Sequence, residues 1–199
     1  MPEPTSTRSK IGDIVTSVKR GASSFYLKDG DTETPVIKAK DITDDGTINL
    51  TSVDIEKTRT IPRVRANLLA EGDILVSIRG GIFKSAIVPK DAVGYSFNAN
   101  FIALTPDTDK IRPEILAWYL GSPFVLKYLA EKSTGHAIMS ISSDEILNLP
   151  LSLPNKKQQE KIQGFLTQVR DYKTISRRQE EILSSISDEL LMRYIVDGE

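Results

Sequence analysis

The stretch Pro150–Val169, PLSLPNKKQQEKIQGFLTQV, is where one hydrophobic period stops and another begins. Downstream, from Lys156 to Ile195, there is no proline and one glycine, Gly164. Apolar residues recur at Ile162, Phe165/Leu166, Val169, Tyr172 and Ile175, then at Ile182/Leu183, Ile186, Leu190 and Tyr194, in steps of three and four. That spacing predicts one helix of about 40 residues, roughly 60 Å long at about 1.5 Å per residue. A single helix cannot bury such a stripe within itself. Ile162, Leu166, Val169, Tyr172, Leu183, Ile186 and Leu190 are therefore expected to meet a partner helix, from a second copy or from another protein. The polar interval Lys173–Glu181 interrupts the stripe and reads as a solvated face.

Upstream of Pro154 the pattern is that of a sheet. Short segments rich in Ile and Val, TPVIKAKDI, GTINL, GDILVSIRGG, SAIVP and ANFIALTP, are punctuated by glycine and aspartate. Asp45-Gly46 supports a tight turn between two of them. Two helical passages interrupt the strands. In RPEILAWYLGSPFVLKYLAE, Pro113 suits a first turn and Gly121-Ser122-Pro123 ends one helix and starts another. Its aromatics, Trp118, Tyr119, Phe124 and Tyr128, are read as core packing rather than a base-stacking platform. Ser142 or Ser143 is placed to cap a short helix with Asp144 and Glu145 in its first turn. The expected class is α+β: a mixed-sheet domain over residues 1–154, then one long coiled-coil-forming helix over 155–199.

Composition narrows the chemistry. The 199 residues are 39% hydrophobic and 27% charged, with net charge −1 and no cysteine. No disulfide, thiol nucleophile or thiolate metal site is available, which fits a cytoplasmic protein. No apolar run approaches the roughly 20 residues that span a bilayer, and MPEPTSTRSK is not a secretory signal. A zinc site or a Ser-His-Asp triad would rest on the single histidine, His136. No phosphate loop, Gly-x-Ser-x-Gly elbow or His-Glu-x-x-His motif is present. Asp29/Asp31 and Asp44/Asp45 sit in turn contexts that explain them.

Nucleic-acid binding would have to rest on local patches, because the net charge carries no cationic signature. EKTRTIPRVRAN holds Lys57, Arg59, Arg63 and Arg65 with no acid from Lys57 to Asn67. Pro62 places this piece on an edge or a loop; where it is extended, Lys57 and Arg59 share a face, as do Arg63 and Arg65. Such a row suits phosphates or a guanine edge, and equally suits a solvated edge that discourages aggregation. In SIRGGIFKS, Gly80 and Gly81 permit a close approach flanked by Arg79 and Lys84, or form a simple turn.

In order along the chain, SKIGDIVTSVKRG (Ser9–Gly21), TPVIKAKDITDDGTIN (Thr34–Asn49), LLAEGDILVSIRGG (Leu68–Gly81), NANFIALTP (Asn98–Pro106), IRPEILAWYLGSP (Ile111–Pro123), STGHAIMSISSDEILNLPLSLP (Ser133–Pro154) and KKQQEKIQGFL (Lys156–Leu166) resemble the specificity subunit of type I restriction-modification systems. The resemblance implies a non-catalytic, DNA-binding target-recognition domain that reads half of a split double-stranded site, and a long helix that acts as a spacer. It implies no cofactor of its own. S-adenosylmethionine belongs to a partner adenine methyltransferase subunit, and a restriction subunit can join. Family members carry two recognition domains and two long helices, whereas this chain has one of each. A half subunit that homodimerises antiparallel through the helix would rebuild that arrangement and read a palindromic split site. A second reading is a helix-mediated interaction or regulatory module without sequence-specific reading. On the first, Lys57, Arg59, Arg63 and Arg65 serve the DNA backbone, and Arg79, Gly80, Gly81, Lys84, Asn98, Asn100 and His136 lie nearer the groove.

Overall fold

The computed structural model of the protein describes residues 6–23, 25–27, 30–59, 61–80, 82–133 and 139–197. In chain order the elements are β1 (Ser6–Lys10), β2 (Val15–Arg20), β3 (Thr32–Ile37), β4 (Asp54–Thr58), α1 (Pro62–Arg65), β5 (Ile74–Ser77), β6 (Arg79–Gly80), β7 (Ser85–Ile87), β8 (Ser96–Phe97) and β9 (Phe101–Pro106). They continue with α2 (Pro113–Leu120), α3 (Pro123–Lys132), β10 (Met139–Ser140), α4 (Ser143–Leu147), β11 (Pro150–Pro154) and α5 (Lys156–Met192), which ends in a π-helical stretch, Arg193–Asp197. The α+β class expected from the sequence is observed.

Two sheets carry the first unit. One is antiparallel in the order β2-β9-β5-β7. The other, β4-β3-β8, is mixed, with β3 antiparallel to β4 and parallel to β8. Every residue of β5 is buried. Leu75 joins Ile37, Leu69, Val88, Phe97 and Phe101 in one apolar cluster, and α2 packs on β5 and β7. A strand covered on both faces reads as a continuous apolar run, which is why ILVS lacks alternation.

The turn into β5 is held by a buried carboxylate. Asp73 is 0% exposed and accepts from Lys19 Nζ (2.6 Å), Ala70 N (2.8 Å) and Thr105 Oγ1 (2.6 Å). Lys19 lies on β2 and Thr105 on β9, so one side chain ties the turn to two strands. The conspicuous Gly72-Asp73 of the sequence is thus a cross-strand pin.

PLSLP, read from the sequence as the place where the chain divides, is itself a strand. Pro150–Pro154 pairs antiparallel with Ser6–Lys10, so the end of the sheet region closes onto its beginning. Its prolines occupy the first and last strand positions, where a missing N–H is tolerated. The helix that follows starts on a reciprocal cap. Asn155 Oδ1 accepts from Gln158 N (2.9 Å) and Gln158 Oε1 accepts from Asn155 N (3.0 Å). Gln159, 1% exposed, donates to Lys110 O and Pro154 O and accepts from Arg112 N. The first unit runs to Gln159, and residues 160–199 form a second.

The described residues of the second unit, 160–197, are helical. Its apolar side chains are in contact with water: Phe165 is 63% exposed, Tyr172 71% and Leu183 64%, with Ile175, Ile182, Ile186 and Leu190 also exposed. Among the described residues, no helix is long and apolar enough to cross a membrane.

Three local expectations meet different outcomes. Ser142 caps α4 in a capping box with Glu145, as expected. Asp45-Gly46 does turn the chain, but it joins a single Ile42–Ile48 bridge rather than two strands. The aromatic expectation is overturned. Ile115, Leu116 and Leu120 of α2 and Val125 and Leu129 of α3 take the core face, which leaves Trp118, Phe124 and Tyr128 exposed on the other. Tyr119 is half-buried, and its hydroxyl donates to Pro150 O. Burial and the neighbouring Tyr128 raise its pKa above the ordinary tyrosine value.

Candidate nucleic-acid interface

The segment after β2 is tied by backbone bonds to the start of β9 and to the edge strand β8. Gly21 N donates to Phe101 O (3.3 Å), Ala22 N donates to Phe97 O (2.8 Å), and Ala22 bridges Asn98 in the parallel sense. A Cβ at Gly21 would stand 1.9 Å from Asn98 O, so only glycine allows this approach. The chain then turns at Ser23, whose carbonyl accepts from Tyr26 N. Tyr26 O in turn accepts from Arg59 N (3.1 Å) just beyond β4.

Side chains converge there. The Arg59 guanidinium lies 4.4 Å over the Phe25 ring, and Phe25 meets Tyr26 edge to face at 5.1 Å and 81°. Phe25 is nevertheless 62% exposed. Arg63, Arg20, Tyr26, Ser23 and Asn67 line a shallow cleft beside this stack. Asn67 organises it: its Oδ1 accepts from Arg20 N (2.8 Å) and its Nδ2 donates to Arg63 O (2.6 Å), stapling α1 to the end of β2.

The extended arrangement expected for Arg63 and Arg65 is corrected. Pro62 at the first helical position fixes its φ for a helix, and Pro62–Arg65 forms a single turn. Residues two apart then diverge by about 200°. Only Arg63 lines the cleft, and Arg65 points elsewhere on an exposed surface. Lys57 lies on β4, while Arg59 stands just beyond the strand's end. Lys57 is exposed opposite Thr58, which is buried and hydrogen-bonded to Thr34 (2.7 Å).

Ion pairing separates the cations. Asp54 and Glu56 of β4 hold Lys38 (2.9 and 2.5 Å), and Asp54 also holds Lys40 (2.9 Å). These lysines, Lys40 first, depress the Asp54 pKa, while Glu56 and Asp54 raise that of Lys38. Lys84 is likewise engaged: its ammonium donates to Ile42 O (2.6 Å) and pairs with Asp44 (3.3 Å). Among the described residues no carboxylate pairs with Arg20, Lys57, Arg59, Arg63, Arg65 or Arg79. Of the cations named, those six remain open to an anionic ligand.

The turn at residues 98–100 links the cleft to a second patch. Asn98 Oδ1 accepts from Asn100 N (3.2 Å), while Asn100 O accepts from Ile78 N (2.7 Å) and Arg79 N (3.2 Å). Both asparagines are therefore engaged in shaping the turn, one through its side chain and one through its backbone. Arg79 is exposed on β6, which pairs with β10. Gly80, at φ +148, holds a conformation that other residues rarely adopt. Gly81 and His136 lie outside the described residues.

Arg20, Phe25, Tyr26 and Asn67 were not among the residues the sequence singled out. The run KRGASSFY, basic then glycine then aromatic, carried the signal. What it could not show is that Arg20 and Arg63, 43 positions apart, share one cleft. The arrangement offers guanidinium forks and an exposed aromatic face, the chemistry that grips phosphates, guanine edges and bases.

Known proteins resemble the chain in sequence and in fold. The model of the type I restriction modification DNA specificity domain matches residues 5–184. The HindI specificity subunit of Haemophilus influenzae is 27% identical over 148 residues, 72% of this chain and 32% of that protein. Two solved structures share the fold. A chain from a type I R-M system assembly superposes with TM-score 0.71 at 17% identity, over 98% of this chain and 50% of its own. The HsdS subunit of Thermoanaerobacter tengcongensis gives 0.70 at 20% identity, over 96% and 48%. The chain thus spans a third to a half of the length of these relatives. With 180 of its 199 residues inside the family match, it belongs to the type I restriction modification DNA specificity domain family.

Proposed function

We propose that this chain is a non-catalytic DNA-reading subunit with one target-recognition domain, which homodimerises through α5 to read a split palindromic site. The observation that carries the DNA reading is the set of unneutralised guanidinium groups, Arg20, Arg59 and Arg63, gathered with Phe25 and Tyr26 around the strap after β2. In this reading the cationic side chains grip phosphates, and Lys57, Arg65 and Arg79 extend the track. Lys84 serves the fold through Ile42 and Asp44 rather than DNA. The partners are an adenine methyltransferase subunit, which brings its own S-adenosylmethionine, and a restriction subunit where one is present. The compartment is the cytoplasm.

Binding to double-stranded DNA as a function of salt tests the reading. Each phosphate contact contributes about 0.9 to the slope of log K against log salt. Arg63→Ala is expected to weaken binding and lower that slope by about one, and the Arg20→Ala/Arg63→Ala pair by about two. An unchanged slope in the double variant removes the cleft from the interface. The exposed apolar side chains of α5 favour a second reading, a helix-mediated interaction or regulatory module without sequence-specific reading, which predicts that any DNA binding by the wild type does not distinguish one sequence from another.

A further inference from the structure

Given the dimer proposed above, the side chains of α5 also specify its register. Written as heptads from Ile162, the a positions are Ile162, Val169, Ser176, Leu183 and Leu190, and the d positions are Phe165, Tyr172, Gln179, Ile186 and Arg193. Between Ile162 and Leu190 one polar layer, Ser176 and Gln179, interrupts an otherwise apolar seam whose side chains are largely exposed in the single chain, and Arg193 ends it. In an antiparallel pair, a meets d of the other helix, e meets e and g meets g.

We propose that α5 pairs antiparallel with a second copy of this chain about an axis between Arg177 and Arg178, with Ser176 opposite the partner's Gln179. In that register Phe165 meets the partner's Leu190, Val169 the partner's Ile186, and Tyr172 the partner's Leu183. At the flanks, Ile175 meets the partner's Ile182, and Lys173 meets the partner's Glu180. Each contact occurs twice by symmetry. The two polar core residues satisfy one another, and one opposite-charge pair closes each end of the polar layer. Ile162 falls at the margin against the partner's Arg193, whose guanidinium is held by Glu189 of its own helix.

Sliding by one heptad either way breaks these matches. One shift sets Gln179 against the partner's Leu183 and brings Glu180 to the partner's Glu180. The other sets Gln179 against the partner's Val169 and brings Lys173 to the partner's Lys173. Each strands a buried amide in an apolar layer and opposes like charges. A parallel in-register pair keeps the polar layer together, but sets Glu180 beside the partner's Ile175 and leaves Lys173 without an acid across the seam. Charge complementarity therefore selects the antiparallel arrangement.

The chain has no cysteine, so introduced thiols report cleanly. Tyr172→Cys and Leu183→Cys, both at exposed positions that leave the single chain's fold intact, are prepared separately, then mixed and oxidised. In the proposed register the mixture forms a disulfide-linked dimer and neither variant does so alone. Like positions are then displaced by 11 residues, about 16 Å along the axis, beyond the roughly 7 Å Cα limit for a disulfide. Self-cross-linking of either variant establishes a parallel pair and overturns the proposal. A dimer by light scattering in which the mixture does not cross-link overturns the register alone. A species at the monomer mass of 22.1 kDa overturns the dimer reading with it. Independently, Lys173→Glu is expected to weaken dimerisation about tenfold, and adding Glu180→Lys to restore it. Failure of that rescue also counts against the register.

Discussion

Replacing Asp73 with alanine is expected to destabilise the sheet unit by about 3–5 kcal/mol, the range for stranding one partner of a buried ion pair. The carboxylate is fully buried and accepts from three donors on three segments: Lys19 Nζ on β2, Thr105 Oγ1 on β9 and Ala70 N in the turn. Truncation leaves Lys19, whose side chain is only 16% exposed, with Leu68 O (3.0 Å) as its remaining acceptor. It also removes the acceptor of the Ala70 amide and leaves the Thr105 hydroxyl with Ser17 Oγ (2.9 Å) as its remaining side-chain partner. Against a typical domain stability of about 5–15 kcal/mol, the loss removes a large share. Urea unfolding followed by far-ultraviolet circular dichroism measures it, with an unchanged m-value marking a true stability change. Asp73→Leu combined with Lys19→Met is expected to recover much of the loss, because an apolar pair strands no charge. A cost below about 1 kcal/mol for Asp73→Ala, or no recovery in the paired variant, would refute this account of the pin.

Two further perturbations probe other parts of the molecule. A Cβ at Gly164 in α5 meets nothing within 4 Å, so Gly164→Ala is expected to stabilise the helix by about 1 kcal/mol; no rise in helical melting temperature would show that the glycine is not in a regular helix. On the acid side, the Asp54 carboxyl is held below its ordinary value of 3.8 by Lys40 and Lys38, so its contribution is present above that pH and is lost as pH falls through the depressed value. Asp54→Asn should therefore lower stability somewhat at neutral pH and leave it unchanged below the depressed value, which flattens the acid limb, and an identical acid limb would remove the Lys38/Lys40 cluster as a source of pH dependence.

Legibility varied with the range of the interactions involved. The helix α5, the cap at Ser142 and the strand character of GDILVS were readable because period, capping chemistry and turn residues act within a few positions. The shared face that an extended segment would give Arg63 and Arg65 does not form, because Pro62, which stands beside them in sequence, starts a helical turn. Lys57 and Lys84 look alike in sequence, yet Lys84 is held by Ile42 and Asp44, 40 or more positions away, while Lys57 pairs with no described acid. The type of the aromatics of α2 and α3 suits burial in the core. The aliphatic residues at Ile115, Leu116, Val125 and Leu129 took that face instead.

The sequence by itself determined the α+β class, the long helix with its exposed seam and the membership signal spread over seven ordered segments. Those properties are sums of local preferences. Only the tertiary structure decided which cations remain unneutralised and that Arg20, Arg59 and Arg63 surround one aromatic strap. Chain crossings and cross-strand hydrogen bonds bring those residues together from separate segments, and no local pattern encodes which distant acid reaches which base.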